Sequence, residues 1–266
     1  MFKYLQLWRV VRGRYYCLQM KHDAGVRTVA MKNFQLSNNP MVELEKITER
    51  EVCGKCHHAR KFYCYDCNVA TSSAGKVIPK LELPVKVVVI QDAREVKGKN
   101  TACHAKIIAN QDVEIFTYPD IPDYINKDNS VLLYPTDGCE SVGEAIKSRS
   151  DNNKKLEYVV FIDSTWQKSK RIINNEVIST LPRIRISQHK TLFWRNQKFD
   201  IHFLSTIEAI HYFFRDYHEA TNQGSYEGQY DDLLYLFLYQ YEVIQRRYKN
   251  NTELTFKTAL RDDYIK

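Results

Sequence analysis

The side chains best suited to chemistry fall in two places. Four cysteines, Cys53, Cys56, Cys64 and Cys67, are spaced C-x2-C-x7-C-x2-C. Each C-x2-C knuckle lets two thiolates converge on one ion, and two knuckles complete the closed tetrahedron of a structural zinc site. Such a site stabilises a small lobe and leaves no open coordination position for catalysis. His57 and His58 could replace one ligand, although four cysteines suffice, and Arg60 and Lys61 lie close enough to ease the negative charge of the thiolates. The other cysteines, Cys17, Cys103 and Cys139, are scattered. That is the distribution of an intracellular metal site, not of a disulfide framework.

The second place is Tyr158 to Lys170, YVVFIDSTWQKSK. A fully apolar run, Val159 to Ile162, suits an inner strand of a parallel sheet, buried on both faces. Ligands of such sheets sit just beyond the carboxyl ends of the strands, which is where Asp163 falls. Ser164 or Thr165 can cap a helix starting near Trp166, whose first turn offers free N–H groups to an anionic ligand. Taken alone, the same pattern also describes a capped strand-to-helix turn with no chemistry.

The elements that must hold these residues alternate. Val85 to Ile90 reads as a central strand, followed by a helix from Ala102 to Ala109 that Asn100 or Thr101 would cap. Strands at Val113 to Thr117 and Val131 to Tyr134 come next, then a helix from Ser141 to Lys147 and a polar linker, Ser148 to Lys155. The Tyr158 strand leads through a helix ending near Asn174 to an alternating strand, Leu181 to Ile186. Ser205 and Glu208 have capping-box spacing at the start of a further helix, and Asp231 to Tyr248 is apolar nearly all round, as a buried packing helix would be. This order predicts an α/β fold with a mostly parallel sheet. The expected division is a basic or loosely ordered segment over 1–50, including a short helix from Met41 to Val52, a zinc-binding lobe over 51–78, a catalytic domain over 79–250 and a tail over 251–266.

The formal charge is +7, unevenly distributed. Residues 1–30 carry six Lys/Arg against one acid, Asp23, and read either as an organellar targeting segment or as an extension before a start at Met31. From Trp166 to Lys198 there are eight Lys/Arg and one acid, Glu176. Basic residues interleaved with Phe193 and Trp194 fit a phosphate-tracking surface with base-stacking platforms, with Lys168, Arg183, Arg185, Lys190 and Arg195 as its candidates. A solvated basic face over buried aromatics is the plainer reading. No apolar run reaches membrane-spanning length, so a membrane is not an expected partner.

D-S-T-W after an apolar strand, L-S-T-I-E-A later, N-T after the first strand and the upstream paired C-x2-C resemble the DTW-domain family of tRNA-uridine aminocarboxypropyltransferases, relatives of the SPOUT methyltransferases. F-Y-C-Y-x-C, F-W-R-x-Q-K and F-L-S-T-I-E-A-I look like the first of the two animal paralogous groups. The resemblance covers roughly residues 50–250. It implies S-adenosylmethionine as the group donor, tRNA as partner, nuclear localisation (with cytoplasm or organelle as alternatives) and a SPOUT-like sheet with a C-terminal knot. The group moved would be 3-amino-3-carboxypropyl, onto N3 of a D-loop uridine, with release of 5′-methylthioadenosine. Asp163 is then the candidate base for the weakly acidic N3–H. Ser164, Thr165, Ser205 and Thr206, with Trp166 and Thr101 at motif positions, are the expected cofactor-binding residues, with Glu208 and Glu95 either on the amino group or as caps. One departure stands out: Asp92-Ala93-Arg94-Glu95 replaces the His-Pro that family members often carry before the glutamate. An RNA methyltransferase and a non-enzymatic zinc-containing RNA-binding protein are the competing readings, and the oligomeric state is left open.

Overall fold

The apolar run ending at Asp163 is a central strand because it has a hydrogen-bonded neighbour on each side. The computed structural model describes residues 7–11, 14–18, 29–193, 202–221 and 225–250. Trp194, Arg195, Lys198 and the tail over 251–266 lie outside these, as does the Trp166 side chain.

In chain order, α1 (Pro40–Glu45) precedes the four-cysteine lobe. The sheet then begins with β1 (Lys86–Asp92), α2 (Ala102–Ile108), β2 (Val113–Tyr118) and β3 (Ser130–Leu133). A two-residue strand, β4 (Glu140–Ser141), leads into α3 (Val142–Asp151), and β5 (Tyr158–Asp163) follows. Two helices, α4 (Trp166–Ile173) and α5 (Glu176–Thr180), connect to β6 (Arg183–Arg185). The chain closes with α6 (Thr206–Thr221) and α7 (Tyr235–Lys249). The six strands lie in the order β4-β6-β3-β5-β1-β2, all pairings parallel.

Strand periodicity sorts the side chains onto two covered faces. Val87, Val89, Val131, Val159 and Phe161 join the larger core with residues of α2, α3, α6 and α7. Val88, Ile90, Leu132 and Val160 point the other way, against Ile172 of α4 and Ile178 of α5. The mostly parallel α/β sheet expected from the sequence is therefore present. Met31, Phe34, Met41 and Leu44 also belong to the larger core, so residues near the start of the chain help to build it.

Some boundaries differ from expectation. The helix read over Met41 to Val52 stops at Glu45, because Glu51–Val52 pairs antiparallel with Ala59–Arg60 in the first knuckle. The polar linker after Lys147 begins as helix, since α3 runs on to Asp151. Arg149 explains the extension. Its buried guanidinium donates to the carbonyls of Ser130 at 2.6 Å, Asp128 at 2.7 Å and Lys127 at 3.2 Å, tying α3 to the chain entering β3.

Topology marks a place for a ligand. From β1 the chain moves outward to β2, whereas from its neighbour β5 it crosses to β6 on the opposite side. The carboxyl ends of β1 and β5 therefore flank a switch point, where open α/β sheets hold their ligands. In register, Asp163 sits opposite Gln91.

Candidate active site

Asp163 ends β5 at this crevice, partly buried, with its carboxylate held by three side chains. The Thr206 hydroxyl, at the first residue of α6, donates to Oδ1 at 2.7 Å. The Asn100 amide donates to Oδ2, and the Gln91 amide lies 3.5 Å from the same oxygen. Burial pushes the carboxyl up to about 6; the Thr206 hydrogen bond opposes this and the charge of Glu95 adds to it. A carboxylate with such a pKa is ionised at neutral pH yet more basic than an ordinary aspartate, which suits it to accept a proton from a weak acid.

Asn100 is fixed in turn, since its Oδ1 accepts from the Ala102 N–H at 2.6 Å and so caps α2. Thr101 does not cap that helix. Its buried Oγ1 accepts from the Ile207 N–H at 3.2 Å, joining the loop after β1 to the start of α6. Thr165 occupies the N-cap position of α4 without a side-chain cap bond and is exposed.

Glu208 is buried and fully engaged. It accepts from the Ser205 N–H and hydroxyl at 2.8 and 2.7 Å, from the Thr191 hydroxyl at 2.8 Å and from the Leu192 N–H at 2.7 Å. Ser205 and Glu208 thus hold the returning chain in place, with the Ser205 hydroxyl committed to that bond. Removing the carboxylate strands four donors, three of them in buried bonds. Glu208→Ala is expected to cost about 3 kcal/mol or more, lowering the thermal midpoint by roughly 6–12 °C for a chain of this size. A midpoint within about 2 °C of wild type in a calorimetric scan would contradict that role.

A cavity of about 420 Å³ opens beside Asp163, over the ends of β3, β5 and β6. Its apolar wall includes Leu133, Phe161, Phe203 and Leu204, and its polar groups include Ser164, Arg185, His189 and Thr206. Of the residues expected to bind cofactor, Ser164 and Thr206 line it directly. His189 was not foreseen. Its ring stacks on Tyr212 with centroids 3.6 Å apart, burial holds its pKa down to about 4, and its buried Nε2 has no hydrogen-bond partner among the described residues. A half-buried neutral imidazole whose buried nitrogen is unsatisfied is a ready contact for a ligand in this space.

Of the basic candidates, Arg185 lines the cavity, and they differ in freedom. Arg185 and Lys190 are exposed, and Arg185 also donates to the Cys139 carbonyl. The Arg183 guanidinium lies 5.9 Å from the Tyr134 ring centroid, and Lys168 is paired with Glu95 at 2.9 Å. At the end of β1, the buried Asp92 pairs with Arg94 at 2.8 Å, which holds its carboxyl well below the usual range; Arg171 lies 3.5 Å away.

The four cysteine sulfurs all lie within 4.8 Å of one another, as a tetrahedral metal site requires. Each knuckle ends in a left-handed residue, His57 at φ 59° and Asn68 at φ 54°, directly after its second cysteine. The Arg60 guanidinium pairs with Asp66 and lies 4.1 Å over the Tyr65 ring, while Tyr63 reaches out of the lobe to His104 Nε2 at 3.0 Å. The cluster could hold a metal ion, and the residues around it fasten the lobe to the body.

A parallel α/β sheet, a strand-end carboxylate of raised pKa at its switch point and a large adjoining cavity are the parts of an enzyme, and its accessory lobe carries four cysteines that could hold a metal ion. The DTW domain model matches residues 61–245, and the chain belongs to that family. It is 34% identical to tRNA-uridine aminocarboxypropyltransferase 1 of Xenopus tropicalis over 90% of this chain and 97% of the relative. Against the human protein of that name the identity is 33%, over 81% and 84%. Among solved structures, the SAM-dependent rRNA:acp-transferase Tsr3 from Vulcanisaeta distributa aligns with 17% identity and a TM-score of 0.39, covering 62% of this chain and 82% of that one.

Proposed function

We propose that this protein transfers the 3-amino-3-carboxypropyl group of S-adenosylmethionine to N3 of a tRNA uridine; its relatives are named tRNA-uridine aminocarboxypropyltransferases. The observation that carries the reading is the Asp163 carboxylate, raised in basicity and aimed by Thr206, Asn100 and Gln91 beside a cavity at the switch point. When bound, S-adenosylmethionine supplies an electrophilic γ-carbon whose bond to sulfur breaks with its electron pair going to sulfur, leaving 5′-methylthioadenosine. Asp163 takes the N3 proton as the nitrogen pair forms the new bond to carbon. Its negative charge also favours a sulfonium nearby. Ser164, Thr206 and His189 line the space for the donor, while Ser205, Glu208 and Thr101 position the chain that carries Thr206.

We take the ion of the four-cysteine cluster to be zinc, because two thiolate knuckles make a closed soft-ligand tetrahedron. The SPOUT-like class and a knotted C-terminal end belong to the same reading; support comes from a cavity walled by strand ends and by the chain returning from β6 to α6.

Mass spectrometry of tRNA incubated with the protein and S-adenosylmethionine tests the proposal. An aminocarboxypropyl adduct with released methylthioadenosine is expected; a methyl adduct with S-adenosylhomocysteine, or tRNA bound without an adduct, would overturn it. The basic rim provides a second check. Replacing Arg183, Arg185 and Lys190 together with Ala is expected to weaken tRNA binding and to flatten the slope of log affinity against log salt by about two to three units. An unchanged slope would place the phosphate contacts elsewhere.

A further inference from the structure

Asp92, the last residue of β1, is 0% exposed. It follows Gln91, the register partner of Asp163, so strand alternation turns it to the opposite face of the sheet, where α4 packs. There its carboxylate holds two arginines. Arg94 approaches side-on, with Nε 3.0 Å from Oδ1 and Nη2 2.8 Å from Oδ2, and its backbone N–H donates to Oδ1 at 2.9 Å. Arg171 of α4 reaches Oδ2 at 3.5 Å, and its guanidinium lies 4.8 Å from the ring centroid of Tyr118, the last residue of β2. These bonds use two of the five side-chain N–H groups of Arg94 and one of those of Arg171. Both side chains remain about half exposed, at 56% and 51%.

An arginine on an open surface samples many rotamers and loses that freedom when it binds. Here a buried carboxylate and an aromatic ring fix the two guanidiniums in advance. Two guanidiniums around one carboxylate keep a net positive charge, and their planar forks match the oxygens of a phosphate. The surroundings carry the same sign. Residues 92–99 and 168–171 hold six Lys/Arg against two acids, and the second acid, Glu95, is paired with Lys168 at 2.9 Å. The loop after Tyr118 brings Asp120 and Asp123, so the favourable region is narrow and suits one phosphate, not a broad polyanion face.

Sheet order sets this pair against the candidate base. Asp163 ends β5; Arg185 ends β6, two strands to one side, whereas Arg94 follows β1 and Tyr118 ends β2, one and two strands to the other. At about 4.8 Å between strands, β6 and β2 lie roughly 20 Å apart, with β5 midway. The loop that carries Arg94 is also near Asp163, whose carboxyl feels the charge of Glu95. We infer that Arg94 and Arg171 together bind one phosphate of the tRNA strand that carries the acceptor uridine, on the side of Asp163 away from Arg185. The inference rests on the tRNA substrate proposed above. A strand gripped on both sides crosses the carboxyl ends of the sheet with its uridine at Asp163.

The test measures binding of unmodified tRNA to the full chain over a salt series, without S-adenosylmethionine, for Arg171→Gln and a control, Lys86→Gln. Arg94 still pairs with Asp92 when Arg171 is replaced, and Lys86 is exposed at the opposite, amino end of β1. Arg171→Gln is expected to weaken binding about three- to tenfold near physiological salt and to lower the slope of log affinity against log salt by about one unit. Lys86→Gln should leave both unchanged. Affinity within about twofold of wild type with an unaltered slope would overturn the inference. An equal loss in Lys86→Gln would also overturn it, by making net charge alone the cause. If Arg171→Gln lowers the thermal midpoint by more than about 5 °C, Arg171→Lys decides. Lysine keeps the charge but not the fork, so binding should still weaken at least about threefold, and wild-type affinity would overturn the inference. Transfer is read separately: a wild type that binds tRNA but makes no aminocarboxypropyl adduct would refute the reaction and leave the phosphate contact standing.

Discussion

Asp163→Asn is expected to slow aminocarboxypropyl transfer by about 10²–10⁴-fold, the usual contribution of a positioned general base. The asparagine keeps the size of the side chain and an acceptor oxygen for Thr206, so donor and tRNA binding should persist. The pH profile adds a signature that a structural role would lack. In the wild type, turnover should fall as pH drops through about 6, where the carboxyl becomes protonated. The residual rate of the variant should show no such acidic limb. Stability gives an independent check on sign. The folded-state pKa is raised, so Asp163 favours folding below its ordinary value near 4. That contribution is lost as pH rises through about 6. At neutral pH the ionised, desolvated carboxylate works against the fold; relief of that cost in Asp163→Asn is offset by setting an amide NH2 against the Asn100 and Gln91 donors, so stability should stay within about 1–2 kcal/mol of wild type. A marked fall in thermal midpoint together with an unchanged transfer rate would identify Asp163 as a structural residue only.

Stripping the metal is expected to be the most destabilising treatment short of denaturant. Four thiolates drawn within 4.8 Å of one another repel or reshuffle without an ion, and in small thiolate lobes metal binding supplies on the order of 10 kcal/mol of folding free energy. The effect should reach the body. The Tyr63 hydroxyl contacts His104 of α2 and accepts from Gln240 of α7, and Phe62 meets Tyr239 edge-on at 5.1 Å. Chelation should therefore lower the main thermal midpoint by about 10 °C or more. Loss of turnover with an unchanged midpoint would instead indicate an ion that takes part in the chemistry.

Much of this arrangement is local, and local patterns are what a sequence displays. The continuous apolar run before Asp163 requires burial on both faces, and the register of β5 between β1 and β3 meets that requirement. The knuckle spacing brings the sulfurs together over short, turn-forming loops. Partners contributed from afar were harder to see. Gln91 faces Asp163 only because two strands separated by about seventy residues pair in parallel, and in the chain it is merely a polar residue ending an apolar run. His189 lies in a stretch read for its charges, and its role depends on the Tyr212 ring and on a cavity wall built by three strand ends. Arg149 looked like linker charge until its three carbonyl partners were in place. Glu208 was legible as a cap, but its bonds to Thr191 and Leu192 show that it also fastens the chain that leaves the sheet.

The hydrogen bonds that hold the Asp163 carboxylate bear on the order of events during turnover. Its two oxygens are already committed to Thr206 on one side and to Asn100 on the other, which makes it a poor nucleophile and a good relay for a proton. A transferred alkyl group would have nowhere to rest between donor and acceptor. Both must then be present together, with attack from the side opposite the departing sulfur, so the kinetics are those of a ternary complex and the carbon inverts in a single displacement.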